Sequence, residues 1–372
     1  MHTPDLDTLR LCSVLASSAF GFVFSVLWLR NRAALHFGMW AASSLIYGGI
    51  IAIFGSISPT QIVPVTILFA VLAVTDLLPL AGALQLENRK PFAPWMVLPV
   101  LAAACGHAIP AVLVREGVFS PTGAWQTVGD ALGLAVGIGV PGFLLAFGPG
   151  ARRSAGRRMA GAAMLCYLPG YALSIVGAFW VLPRGEWVAL LAMLSDQVLL
   201  GVLNLGLLAI PAERVHRNLR EAAMRDPLTG CWNRAGLHSL EATFGKIGVA
   251  VVALDVDHFK LINDRHGHAA GDEVLALIGS EARGLAEAHA GHAVRLGGDE
   301  FIVILPASGG EPSGFMATLE SRLKARSLLG KGWSVSMGSS QVQAGEKGLS
   351  STMRRADTSL YQAKAARHAR AA

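Results

Sequence analysis

At positions 255–260 the chain reads Asp255-Val256-Asp257-His258-Phe259-Lys260, continuing the apolar run GVAVVALD at 248–255. Such a run, short and rich in β-branched residues, predicts a strand. Side chains at i and i+2 leave a strand on one side, so Asp255 and Asp257 offer two carboxylates where the chain leaves the sheet. Oxygen donors of this kind suit a divalent cation, and the lysine just beyond suits a polyphosphate. A solvated loop end accounts for D-x-D about as well. A second acidic pair, Asp299 and Glu300, follows Gly297-Gly298 and precedes the apolar run FIVIL at 301–305, which Pro306 closes. This pattern predicts the tip of a β-hairpin. Its two glycines accept positive φ and let a ligand approach the backbone, although an ordinary polar turn has the same composition. The two segments gain weight together, because Asn263, Asp264, Gly267, His268, Gly271 and Asp272 lie between them. That set can serve a metal, a phosphate and a base at once.

These residues need a frame. Strands are predicted at 248–255, 301–305 and 333–338 (WSVSMG), and helical periodicity at 272–288 and 352–367. Alternation of short strands with helices predicts an α/β domain with a central mixed sheet. Ahead of it, PAERVHRNLREAAMR at 211–225 places Val215, Leu219 and Ala222 at helical spacing among charges. It reads as a linker helix, either a solvated connector or a short parallel dimer helix, and two heptads do not separate these.

The rest of the chain has another solvent. Hydrophobic residues make up 53% and charged residues 15% of 372 positions, with mean hydropathy +0.49, too apolar for an ordinary soluble chain. Only 11 of the 31 Lys and Arg and 8 of the 25 Asp and Glu fall in residues 1–210. Apolar segments near 11–29, 35–55, 62–84, 93–114, 127–148, 159–182 and 187–210 are long enough to cross a bilayer. An all-α transmembrane bundle of about seven helices is therefore expected over 1–210. Arg30 and Arg32, then Arg89 and Lys90, then Arg152, Arg153, Arg157 and Arg158, and then Arg214, Arg217 and Arg220 mark alternate ends. The excess of basic residues on that side predicts an outside N-terminus and a cytoplasmic C-terminal domain. The basic excess thus reads as membrane topology, and no nucleic-acid partner is expected. His2, Asp5 and Asp7 ahead of the first apolar run do not form the basic start of a cleavable signal peptide, so that run is expected to stay as a span. Asp76, His107, Asp130 and Asp196 fall within spans, where an ionisable group serves a sensing role or is a satisfied structural group. Cys12, Cys105, Cys166 and Cys231 form no framework for disulfides or zinc.

Over residues 226–367 the sequence resembles the GGDEF family of diguanylate cyclases. The resemblance is carried by Asp226-Pro227-Leu228-Thr229-Gly230 with Asn233-Arg234, DVDHFKLIND at 255–264, GHAAGD at 267–272, RLGGDEF at 295–301, SVSMG at 334–338, and AD with LYQAK at 356–364. Several ordered motifs make it specific. It implies a nucleotidyl-cyclase-like fold over 226–372 and condensation of two GTP molecules to cyclic di-GMP by a homodimer at a bacterial inner membrane. It also implies magnesium, with manganese as the alternative, held by Asp255, the Val256 carbonyl and Asp299. Asp299 and Glu300 become the catalytic pair, Asp299 favouring deprotonation of the attacking 3′-hydroxyl. Asn263 and Asp272 match the guanine-reading pair. Lys260, Lys364 and the amides of His258 and Phe259 match the phosphate contacts, Gly297 and Gly298 leave room for nucleotide, and Arg295 and Phe301 order the hairpin. His268 reads as a structural hydrogen-bonding residue.

Three departures stand out. Cys231-Trp232 alters the turn motif, the spacing from Asp272 to Gly297 is about one residue longer than usual, and His368 stands where a phosphate-binding arginine is expected, with Arg367 one position early. The R-x-x-D product-inhibition site of many family members falls on Ala288 and Gly291, so no such site is expected. The alternative to an active cyclase is a catalytically silent GTP-binding domain coupled to a membrane receptor.

Overall fold

The computed structural model describes residues 6–58, 61–120, 123–179, 186–244, 248–326, 333–344, 346 and 348–371. The chain divides into two units, Met1–His216 and Arg217–Ala372.

The first unit is helical: α1 (Leu6–Arg30), α2 (Leu35–Phe54), α3 (Ile62–Leu86), α4 (Val97–Arg115), α5 (Ala124–Phe147), α6 (Ala155–Leu165), α7 (Leu168–Phe179) and α8 (Glu186–Ala223). Among the described residues, seven stretches are long and apolar enough to cross a membrane. The sixth, expected as one helix over 159–182, is broken at Cys166-Tyr167 into α6 and α7; its positions 180–182 lie outside the described residues. Pro169, the second residue of α7, accompanies the break, having no N–H to give to a carbonyl one turn earlier. The segment expected as a linker helix leaving the membrane, 211–225, is helical as far as Ala223 and runs on from α8 through Pro211. A proline removes one ladder bond, and the good helix formers around it keep the rest.

Several buried polar residues of this unit are held by partners. Asp196 accepts hydrogen bonds from Ser13 (2.9 Å), Tyr47 (2.7 Å) and Tyr167 (2.9 Å). His107 Nδ1 lies 2.9 Å from Asp130, and Gln126 donates to the same carboxylate at 2.9 Å. Arg157, with 1% of its side chain exposed, pairs with Glu87 and donates to the Leu144 carbonyl at 3.1 Å.

The second unit contains α9 (Arg234–Phe244), β1 (Ala250–Val256), α10 (Phe259–His266), α11 (His268–Ala288), β2 (His292–Gly297), β3 (Glu300–Leu305), α12 (Pro312–Ala325), β4 (Val335–Gln341) and α13 (Ser350–Ala371). The sheet order is β2-β3-β1-β4, and every strand pair is antiparallel. This corrects the expected mixed sheet. A helical crossover from β1 to β2 makes them run alike, but β3 inserts between them; β1 likewise separates β3 from β4. The one parallel contact is the bridge from Trp232 to Val294.

β1 is buried on both faces, which explains its near-continuous apolar run. Val252, Leu254 and Val256 pack with Leu275 and Ile278 of α11 and Phe315 and Leu319 of α12. Val251 and Ala253 join Leu237 and Leu240 of α9 and Ala356 of α13. By alternation Asp255 and Asp257 fall on the α13 side.

Candidate active site

The two carboxylates that leave β1 together meet different cations on α13. Lys364 Nζ lies 2.6 Å from Asp255 Oδ1, while Arg367 Nη1 donates to Asp257 Oδ2 at 2.8 Å. The spacings match: two strand residues advance about 7 Å and three helical residues about 5 Å. Asp257 is 8% exposed and also accepts from Ser334 Oγ (2.5 Å) and Ser336 Oγ (2.6 Å) of the chain entering β4. Burial pushes its carboxyl up, but these serines and Arg367 outweigh burial and hold it below the ordinary carboxylate range. Of the D-x-D pair, Asp257 is thus engaged by three side-chain donors, and Asp255 is the more open carboxylate.

Asp255 is the contrasting case. Its Oδ1 is buried without an aligned hydrogen bond, so Lys364 meets it as an ion pair. Burial pushes its carboxyl up, Lys364 pulls it down, and the charges of Asp299 and Asp257 push it up again; the net direction is upward. Asp299 reaches this place from the hairpin. Register aligns Asp255 with Glu300 across β1 and β3, and a bulge between Arg295 and Gly297 carries the tip, with Gly298 at φ 55°. Only glycine takes that left-handed conformation without cost. Arg295 ties the tip down, donating to the Gly298 carbonyl at 2.8 and 3.0 Å and to Asp226 at 3.0 Å. Asp226 accepts from the Thr229 amide and hydroxyl as well. Burial raises its carboxyl, and the bonds from Thr229 and Arg295 bring it below its ordinary value. Phe301 is 1% exposed and fixes the root of β3.

Asn263 of α10 and Asp272 of α11 occupy the junction of those helices. Asn263 Oδ1 is buried without a partner, and it lies 2.0 Å from where a Cβ on Gly271 would be, so only glycine leaves room for it. Asp272 and Lys260 are exposed. His258, at φ 55°, turns the chain into α10, whose first amides, from Phe259 on, lie outside the helix's own ladder. No hydrogen bond or ion pair among the described residues ties Asn263 or Asp272 to Asp255 or Asp299.

A divalent cation fits this site. Asp255 Oδ1 is paired with an ammonium group whose place a divalent cation can take, and the charge of Asp299 acts on the same carboxylate. Among the described residues no three His, Cys, Asp or Glu side chains cluster tightly enough to hold an ion alone.

The residues that depart from the motif have structural places. Cys231 is fully buried, with Sγ 3.5 Å from the Gly279 carbonyl. Trp232 stacks under Arg225, whose guanidinium carbon is 4.0 Å from the ring centroid, and its amide donates to Ala293 at 2.9 Å. Arg367 serves Asp257, and the side chain of His368 lies outside the described residues. Sequence reasoning missed the roles of Asp226, Ser334, Ser336 and Arg367; the i, i+3 spacing of Lys364 and Arg367 against the i, i+2 spacing of the aspartates was the available signal.

Residues 223–370 match the family profile described as "Diguanylate cyclase, GGDEF domain". The second unit is a GGDEF domain. Among relatives, this chain is 37% identical over 169 residues to "Diguanylate cyclase DgcP" of Pseudomonas aeruginosa, covering 42% of this chain and 25% of that protein. It is 36% identical over 99 residues to "Cyclic di-GMP phosphodiesterase NbdA" of the same organism, covering 25% of this chain and 12% of that one. The chain therefore spans a quarter or less of the length of these relatives. A solved GGDEF domain of DgcB from Caulobacter crescentus, in complex with c-di-GMP, is 30% identical, with 39% of this chain and 91% of that chain covered and a TM-score of 0.34.

Proposed function

We propose that this chain is a membrane-bound diguanylate cyclase that joins two GTP molecules into cyclic di-GMP and releases two pyrophosphates. The reading rests above all on Asp255 and Asp299, brought together where β1 meets the hairpin, with Lys364 beside them. Asp255, the Val256 carbonyl and Asp299 would hold the magnesium or manganese, which would neutralise the triphosphate and favour ionisation of the 3′-hydroxyl. Lys364 would turn from Asp255 toward the β- and γ-phosphates, joined by Lys260 and the amides of His258 and Phe259. Gly297 and Gly298 keep side chains out of the nucleotide's path, while Arg295 and Phe301 hold the tip still. Glu300, opposite Asp255 in the register, completes the acidic edge. Each 3′-oxygen attacks the α-phosphorus of the other GTP, its proton leaves, and pyrophosphate departs, so two domains must face each other. A homodimer is the active species in this reading.

Residues 1–210 would form the lipid-embedded regulatory part and 211–225 the link to the domain at 226–372. The distribution of Lys and Arg supports an outside N-terminus and a cytoplasmic cyclase at a bacterial inner membrane. The direct test is chromatographic detection of cyclic di-GMP made by the purified full chain in detergent with GTP and magnesium. GTP binding without turnover would favour the silent receptor-coupled domain instead.

Base selection provides a second test. A carboxylate at Asp272 can accept from guanine N1–H and N2–H, which adenine does not offer, and the open oxygen of Asn263 faces the same junction. Asp272→Ala should let ATP compete roughly tenfold better or more, the worth of one charge-assisted hydrogen bond. Competition assays in which ATP is rejected as strongly as by the wild type would remove the base-reading role.

Feedback is the third. Ala288 ends α11 and Gly291 precedes β2, and neither can supply the arginine fork or carboxylate that grips a guanine. A side chain at Gly291 would also meet the Ile304 carbonyl, 2.4 Å from its Cβ position. Added cyclic di-GMP should therefore inhibit only in competition with GTP. A fall in maximal rate that saturating GTP does not restore would contradict this.

A further inference from the structure

Asp257 sits between the carbonyl of Val256 and the turn of His258 and Phe259, the backbone assigned to metal and phosphate in the proposed reaction. Its amide donates to the Ser334 carbonyl at 2.9 Å, and its carboxylate takes three donors, Ser334, Ser336 and Arg367. Arg367 does more than pair with it. The same Nη1 donates to the Val335 carbonyl at 2.7 Å, and Nη2 reaches Glu320 of α12 at 3.2 Å. One guanidinium thus joins α13, α12, the start of β4 and the residue following β1. Its Nη1 and Nη2 are thereby engaged by three elements of the fold.

We propose that Arg367 is a positioning residue: through Asp257 it fixes the turn between β1 and α10 and so holds the Val256 carbonyl and the His258 and Phe259 amides in their working places. The inference rests on the cyclase reading for what the turn does, but not for whether Arg367 holds it. A planar fork can serve two acceptors at once where a lysine ammonium serves them as a point charge. Without Arg367 a nearly buried carboxylate loses the one cation that pairs with it among the described residues while two serines still bind it, and the turn is freed to move.

The test is a double-mutant cycle on the full chain in detergent, with Arg367→Ala, Asp257→Asn and the pair, read in two ways. Hydrogen exchange of the peptide over 256–262, without nucleotide, reports the turn alone. It should quicken in each single variant and no further in the pair, since residues acting as one unit are not additive. In steady-state kinetics each single variant should lose roughly 10–100-fold in kcat, as for partners that orient a ligand from behind. Arg367→Lys should restore part of that loss, and Glu320→Gln should cost less than Arg367→Ala. Unchanged exchange at 256–262 in Arg367→Ala, or a rise in KM for GTP that adds in full to the effect of Asp257→Asn, would overturn the proposal and make Arg367 a phosphate contact. If the wild type makes no cyclic di-GMP, the cyclase reading falls, and the exchange cycle still decides the role of Arg367.

Discussion

Asp299→Ala gives a folded chain that makes no measurable cyclic di-GMP. Asp299 lies in the hairpin turn, where the tip is shaped by the bulge and Gly298 and is fastened by Arg295 to the Gly298 carbonyl and Asp226. None of these contacts uses the Asp299 side chain, so its loss should change stability by no more than about 0.5 kcal/mol. Its chemical loss is far larger. Asp255 would face the cation alone among side chains, and removing a metal ligand forfeits several kcal/mol of charge stabilisation, a fall of about a thousandfold or more in kcat. Thermal unfolding and product formation, measured on one preparation, separate the two effects. A variant that retains wild-type turnover ends the assignment of Asp299 to the metal.

The second large effect belongs to the helical unit and concerns folding. Arg157 is buried to all but 1% and is paired with Glu87 at the end of α3. Its Nη2 reaches Leu144, and its Nε is buried without a partner. Glu87→Ala would leave that guanidinium uncompensated, which typically costs about 3–5 kcal/mol. Glu87→Gln should cost less, because the amide oxygen still accepts. Unfolding in mixed micelles should show the alanine variant as much the weaker of the two. An alanine variant as stable as the wild type would mean that Glu87 is not what holds Arg157.

How far the sequence carries can be judged residue by residue. The β1 run, the hairpin around Gly297-Gly298 and the seven apolar stretches were legible because each rests on a local pattern of period or length. Strand direction was not: insertion of β3 between β1 and β2 depends on pairings between distant residues, which alternation of elements does not encode. The sixth span was read through Pro169 and the linker was cut at Pro211, although the first proline accompanies a break and the second does not. Proline imposes the same local loss in both places, and tertiary surroundings decide the result. Asp257 was read with Asp255 because both leave the strand on one side. Their fates differ through Lys364 and Arg367, about a hundred residues away, whose matching spacing is a signal only once α13 is known to lie along β1.

That distance also bears on the order in which the domain is completed. β1 is the central strand, yet its partners arrive late: Val256 pairs with Val335 and Ala250 with Gln341, about 80–90 residues further along. Contacts so far apart in the chain carry a large loop-closure cost before they are rewarded, which slows folding. During synthesis both β1 and the hairpin emerge well before α13, the helix that supplies Lys364 and Arg367. A nascent domain at that stage holds the aspartates without their cations, and mutual repulsion opposes closure of the acidic edge. Docking of α13 is therefore the step at which the charges balance, so on the proposed reading the site is completed by α13 and not by the emergence of the hairpin.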